Sequence, residues 1–173
     1  MGRLSTVTDA RITGWETTER LLESGGYESR QRAVVVRPVV EASASGARWL
    51  GFAYWRSIVR FTRGALRASW NDDGGSLTLL CGPRLLSFGP PELDVDDGEV
   101  SCRHVIRGGL LALRAGGSVA VAQRRLPEGW ELSVEVAEYL PRLTGTIYGR
   151  GQSPFHAAIS RRYFEFLATE SAA

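Results

Sequence analysis

Residues 65–107 read ALRASWNDDGGSLTLLCGPRLLSFGPPELDVDDGEVSCRHVIR, and the fold turns on this stretch. Apolar and polar residues alternate in short runs, and each run ends in a cluster of Gly, Pro or Asp. Leu66, Ala68 and Trp70 alternate with polar neighbours, and Asp72-Asp73-Gly74-Gly75 then predicts a hairpin turn into SLTLLC. After Gly82-Pro83 comes RLLSF, then Gly89-Pro90-Pro91. A strand ELDV follows and turns through Asp96-Asp97-Gly98 into EVSCRHVIR. Further on, Gly108-Gly109 leads to LLALR, Gly116-Gly117 to SVAVAQRRL, and Pro127-Glu128-Gly129 to WELSVEVAEYL. Short strands at this spacing predict one antiparallel sheet strongly curved on itself.

Working outward, QRAVVVRPVVE (31–41) reads as a Val-rich strand, with Pro38 at an edge or bulge because it cannot donate to a ladder. Residues 47–63, ARWLGFAYWRSIVRFTR, are apolar on most sides, while Arg56, Arg60, Arg63 and Arg67 step by helical intervals. The spacing predicts one helix, or two short ones broken near Gly51, ending near Gly64; a strand over 58–63 is the competing reading. Thr13 and Glu16 have capping-box spacing and Gly25-Gly26 fits a stop, which predicts a short helix between them after a loose arm over 1–12. At the other end Ser153 reads as an N-cap and Pro154 as the first helical position. Phe155, Ile159, Tyr163, Phe166 and Leu167 then form one stripe of a long closing helix, with Ser160, Arg161 and Glu165 opposite.

The chain of 173 residues is 43% hydrophobic and 23% charged, which fits a single domain over 1–173. All 21 basic residues are Arg, so a Schiff-base Lys, a Lys general base and a P-loop Lys are excluded. Cys81 and Cys102 have no CxxC spacing, and neither a signal peptide nor a membrane span is legible. A cytoplasmic protein is the expectation. No G-x-G-x-x-G follows a strand, and Gly151-Gln-Ser153 lacks the last Gly of a nucleophile elbow. A net charge of +2 speaks against a large phosphate footprint, so no nucleic acid is expected as a partner.

The order is strand, helical insert, about six antiparallel strands, long C-terminal helix. With Gly108-Gly109-Leu-Leu, Gly116-Gly117, Trp130 to Val136, Tyr139-Leu-Pro-Arg-Leu143, His156 and Arg161-Arg162-Tyr163-Phe164, it resembles the helix-grip superfamily over residues 31–169. That superfamily includes START-type lipid-transfer domains, polyketide cyclase-like proteins and the Bet v 1 plant allergens. The resemblance implies an α+β fold, a curved antiparallel sheet of about six to seven strands gripping the long C-terminal helix, with a helical insert after the first strand. It also implies a cavity between the sheet and that helix, holding a lipid- or polyketide-like molecule, and in some members a cyclisation or dehydration.

Strand parity supplies candidates for its lining. Val100, Cys102, His104 and Ile106 share one face, as do Trp130, Leu132, Val134 and Val136, against Glu131, Ser133 and Glu135. The candidate ligand-binding set is Trp70, Cys102, His104, Trp130, Leu132, Val134, Ile159 and Tyr163, though the same faces suit a filled core equally well. Cys102 and His104 are zinc-ligand types, but a third ligand is lacking nearby, so no metal and no cofactor is called for. His104 is the one candidate acid or base, against the simpler reading of a hydrogen-bonded core imidazole. His156 should lie at the surface or the pocket mouth. The Arg stripe beside Trp49, Phe52, Tyr54 and Trp55 is a solvated face or a membrane-surface contact. Three function classes follow: a module binding a small apolar ligand, a cofactor-independent cyclase or dehydratase using His104, and a filled-core domain acting through an aromatic surface near residue 50, for instance as a homodimer.

Overall fold

The computed structural model describes residues 12–80, 82–142 and 146–170, with side chains of the last helix from 156 to 169. The expected loose arm and Cys81 lie outside these residues. The strands are β1 (Ile12–Leu21), β2 (Tyr27–Val35), β3 (Leu66–Asn71), β4 (Gly74–Leu79), β5 (Arg84–Asp96), β6 (Glu99–Gly108), β7 (Ser118–Leu126) and β8 (Gly129–Tyr139). The helices are α1 (Ala44–Phe61), between β2 and β3, and α2 (Thr146–Glu170), after β8. All strands belong to one antiparallel sheet in the order β1-β2-β8-β7-β6-β5-β4-β3. The α+β class, the helical insert and the long final helix are as expected; the sheet has eight strands rather than six or seven.

The added strand is β1, where a helix was expected. Capping-box spacing is a short-range signal, and here the exposed edge of β2 outweighs it. Pairing from Ile12↔Val35 to Leu21↔Tyr27 gives the Thr- and Ile-containing backbone a full ladder. β2 itself begins four residues before the expected strand and ends at Val35, so Pro38 lies beyond it. Gly74 and Gly75 are already part of β4, so the turn is Asp72-Asp73. β5 runs unbroken through Gly89-Pro90-Pro91, which makes a register shift between Phe88 and Pro91 where a missing N–H is tolerated. The LLALR segment is a loop with one bridge, Ala112↔Pro141.

α1 is the expected helix over 47–63. Ser43 caps it by accepting from the Gly46 N–H at 3.1 Å. It does not carry the Arg stripe as one face: Arg56 and Arg60 lie on it, Arg63 follows its end and Arg67 is on β3. α2 starts at Thr146, so Ser153 is not its N-cap and Pro154 lies inside it. A proline there forfeits one backbone bond, and the helix continues on both sides.

Register lines up inward-facing residues in rows across four strands. One row is Ala33, Leu132, Gln123 and Val100; the next is Gln31, Val134, Val121 and Cys102; the third is Ser29, Val136, Val119 and His104. Among the described residues α1 covers β3, β5, β6 and β7, whereas α2 rests on α1 and reaches β1 and β2. The sheet therefore holds α1 as well as the long C-terminal helix. The reason is chemical: Ala47, Leu50, Gly51, Ala53, Tyr54 and Ile58 are all buried, so α1 is apolar enough to serve as the inner layer.

Two polar devices hold this arrangement. Gln123, fully buried, accepts from the Val39 and Val40 N–H groups at 2.6 and 3.1 Å, and donates to the Val40 carbonyl at 2.8 Å. It thereby pins the β2–α1 connection onto the sheet. On the outer face Glu131 is buried under Arg30, Arg124 and Arg32 at 3.2, 3.5 and 3.5 Å. Long arginine stems thus bury Glu131 and Ser133 on the side opposite the core.

Candidate functional site

Among the described residues two hollows share Trp55 on their walls. The larger is a cavity of about 400 Å³ beyond the third row. α1 and its C-cap residue line it with Tyr54, Trp55, Ile58 and Thr62, spaced so that they fall on one side of the helix. The sheet contributes Leu77, Leu86, Phe88, Ile106, Val119 and Val136, and α2 contributes His156 and Ile159. Several members are partly or well exposed, Thr62, Ala65, Leu66 and Leu79 among them, and its mouth opens there.

Its polar groups are few and mostly engaged. Thr62 donates to the Ile58 carbonyl at 2.8 Å and accepts from the Leu66 N–H at 3.2 Å. The Tyr139 hydroxyl donates to the Leu111 carbonyl at 2.7 Å. Burial holds the Tyr54 phenol protonated well above its ordinary range. Burial also lowers His156 to about 4, against the smaller opposing pull of Glu19. At neutral pH the cavity therefore presents an almost wholly apolar wall, with no charged lining residue among the described ones. A volume of this size and chemistry suits an apolar small molecule.

The smaller hollow, about 210 Å³, lies on the other side of Trp55 and is lined by Arg48, Phe52, Trp70, Asp72, Cys102 and His104 among others. Two glycines set the packing around it. A Cβ on Gly51 would stand 2.6 Å from the Cys102 Sγ, so α1 can lie on β6 only because residue 51 has none. A Cβ on Gly75 would meet the Trp70 ring at 1.9 Å, so that indole lies across its strand neighbour. The ring of Trp70 then sits 4.4 Å from that of His104 and 4.5 Å from that of Trp55. An Arg48–Asp72 pair of 2.8 Å spans the outside.

Within this hollow the Cys102 Sγ is 3.4 Å from the His104 Nε2, while His104 Nδ1 has no well-formed hydrogen bond. Burial pushes the Cys102 thiol up to about 11, with Arg48 opposing. Burial brings His104 down to about 4, with the Gly89 backbone opposing. The pair is therefore thiol and neutral imidazole at pH 7, not a thiolate–imidazolium nucleophile. Among the described residues no three His, Cys, Asp or Glu side chains cluster as metal ligands.

The eight residues singled out from the sequence divide among several places. Ile159 lines the larger cavity; Trp70, Cys102 and His104 line the smaller hollow. Leu132 and Val134 are core residues of the first two rows, and Trp130 is half-buried opposite Val35. Tyr163 is buried and donates to the Leu50 carbonyl at 3.0 Å, which ties α2 to α1. Sequence reasoning missed Tyr54, Trp55, Ile58, Leu77, Leu86, Phe88 and Val119. The helical spacing of the α1 trio was a usable signal for part of this set. Ile106 and Val136 did lie on faces read as candidate lining. Tyr54 and Trp55 are buried, not part of an exposed aromatic cluster; Phe52 alone of that group is well exposed.

Fold and site define a single-sheet α+β domain with an internal helix and an apolar cavity. No family model matches the chain, and no curated protein matches it. Among solved structures it is similar to CalU16 from Micromonospora echinospora. The crystal structure of that protein gives 14% identity and a TM-score of 0.41 over 90% of this chain and 81% of the other. Its solution structure gives 11% and 0.38 over 96% and 77%. No helix among the described residues is long and apolar enough to cross a membrane.

Proposed function

We propose that this protein binds a small apolar molecule, lipid- or polyketide-like, in the 400 Å³ cavity between α1, the sheet and α2. The observation that carries this reading is the contrast between an open apolar cavity and the closely packed rows beside it. Ile159 contacts the ligand directly, while Leu132, Val134 and Tyr163 belong to the packed core beside the cavity. Binding draws on apolar burial, worth about 25 cal/mol per Å² removed from water, and needs no cofactor. The test is native mass spectrometry of the purified protein followed by solvent extraction. A stoichiometric apolar adduct supports the reading; a protein that carries none and takes up no hydrophobic probe overturns it.

The reading as a cyclase or dehydratase is the weaker one. It needs its substrate in the smaller hollow, because His104 does not line the larger cavity. The neutral ring could act there as a base, but the Cys102 thiol beside it is no second acid–base partner at pH 7.

A further inference from the structure

Around the mouth of the cavity four connections meet. The Leu80 N–H donates to the Ala65 carbonyl at 2.9 Å, joining the β4–β5 turn to the end of α1. Leu110 and Leu111 N–H groups donate to the Arg84 and Leu85 carbonyls at 3.1 and 3.0 Å, bringing the β6–β7 loop alongside. The Arg142 N–H donates to the Leu111 carbonyl at 2.8 Å, which adds the end of β8.

The chemistry of this rim is unusual for a solvated surface. Leu79, Leu80, Leu110 and Leu113 are each at least 43% exposed, on two separate connections. Arg63, Arg67, Arg84 and Arg114 are interleaved with them, all exposed and none paired with a carboxylate among the described residues. Residues 42–71 and 74–91 contain no Asp or Glu at all. Backbone strain collects here too. Among the described residues Arg63, Leu80 and Glu138, with φ of 52°, 44° and 51°, are the only non-glycine residues in the left-handed region, and the first two belong to this rim. A leucine there is disfavoured both by its backbone and by its exposure, so a local folding reason for it is lacking.

We propose that this rim docks on an anionic lipid bilayer, with Leu79, Leu80, Leu110 and Leu113 entering the interface and the arginines meeting lipid phosphates. The occupant is a bilayer because the leucines project from separate loops rather than from one groove that could seat a peptide, and the unpaired arginines on that side outnumber the one exposed carboxylate near them, Glu138. The cavity mouth at Thr62, Ala65 and Leu79 would then open against the membrane, so an apolar ligand could pass without crossing water. Docking does not require an occupied cavity, so it stands or fails separately from ligand binding.

The experiment is co-sedimentation of the full chain with vesicles of phosphatidylcholine alone, and of equal parts phosphatidylcholine and phosphatidylserine. The protein should sediment with the second and not the first. Leu80→Gly combined with Leu110→Ser should weaken that binding about tenfold, as should Arg84→Ser with Arg114→Ser. Leu80→Gly alone should also weaken binding while leaving the melting temperature unchanged or raised, because glycine fits φ 44°, so its lost binding cannot be ascribed to unfolding. No retention on phosphatidylserine vesicles, or retention that survives the leucine substitutions and responds only to the arginine ones, overturns the proposal. Tight binding to an acidic protein without vesicle binding would overturn it as well.

Discussion

The two ends of the concave face are built from the same strands and differ in what covers them. At one end Leu132, Val100, Val134 and Val121 form the first two rows, in a core that also buries Ala47, Leu50, Tyr163 and Leu167. At the other, Val136, Val119 and Ile106 face Tyr54, Trp55, Ile58 and Ile159 across open space. Small residues, Ala47 and Gly51, let α1 approach the sheet at the filled end. Bulky aromatics stand between helix and sheet at the hollow end and reach across without closing it. A core and a cavity are thus one continuous surface, and side-chain volume on α1 decides where one becomes the other.

That comparison can be broken by mutation. Leu132→Ala, at a fully buried position with no room to collapse, should lose about 2–5 kcal/mol in urea denaturation. Acid should act on the two lowered imidazoles. Both are near 4 in the folded chain against 6.5 ordinarily, so the unfolded chain binds more protons in between. Their stabilising contribution is complete above pH 6.5 and is lost as pH falls from 6.5 towards 4. For His104 alone the loss is up to about 3 kcal/mol. His104→Gln should flatten the pH dependence of stability in that window and leave only the part due to His156. An unaltered slope would show that His104 is not desolvated as described.

Gln123→Leu should cost about 1–3 kcal/mol by orphaning the Val39 and Val40 backbone groups. Chemical denaturation measures it, and a neutral outcome would mean that the β2–α1 connection is not pinned there. The smallest effect belongs to the hollow end. Leu86→Ala, half-buried on the cavity wall, should cost under about 1 kcal/mol, because little packing is lost where little exists. Equal losses for Leu86→Ala and Leu132→Ala would erase the distinction.

The parity of β6 and β8 was legible because a period of two puts Cys102 beside His104 and Leu132 beside Val134 whatever the rest of the chain does. α1 was legible from its arginine spacing, although the stripe itself dissolved when the helix ended before Arg63. β1 was not, since an edge strand gains its hydrogen bonds from a distant partner and Thr13–Glu16 mimics a cap. The start of α2 was misplaced because Ser153-Pro154 is a strong local start signal inside a helix that tolerates it. Least legible was the cavity. A void is a property of three elements meeting, and neither the Tyr54–Ile58 spacing nor the alternation near Phe88 says how far apart they stand.

The most direct test of the cavity is uptake of an environment-sensitive hydrophobic dye by the native protein and by Val119→Phe, which places a ring in the hollow. The account predicts saturable binding to the native protein and binding at least about tenfold weaker in the variant, with an unchanged urea midpoint. Equal binding by the two proteins, or none by either, would contradict it.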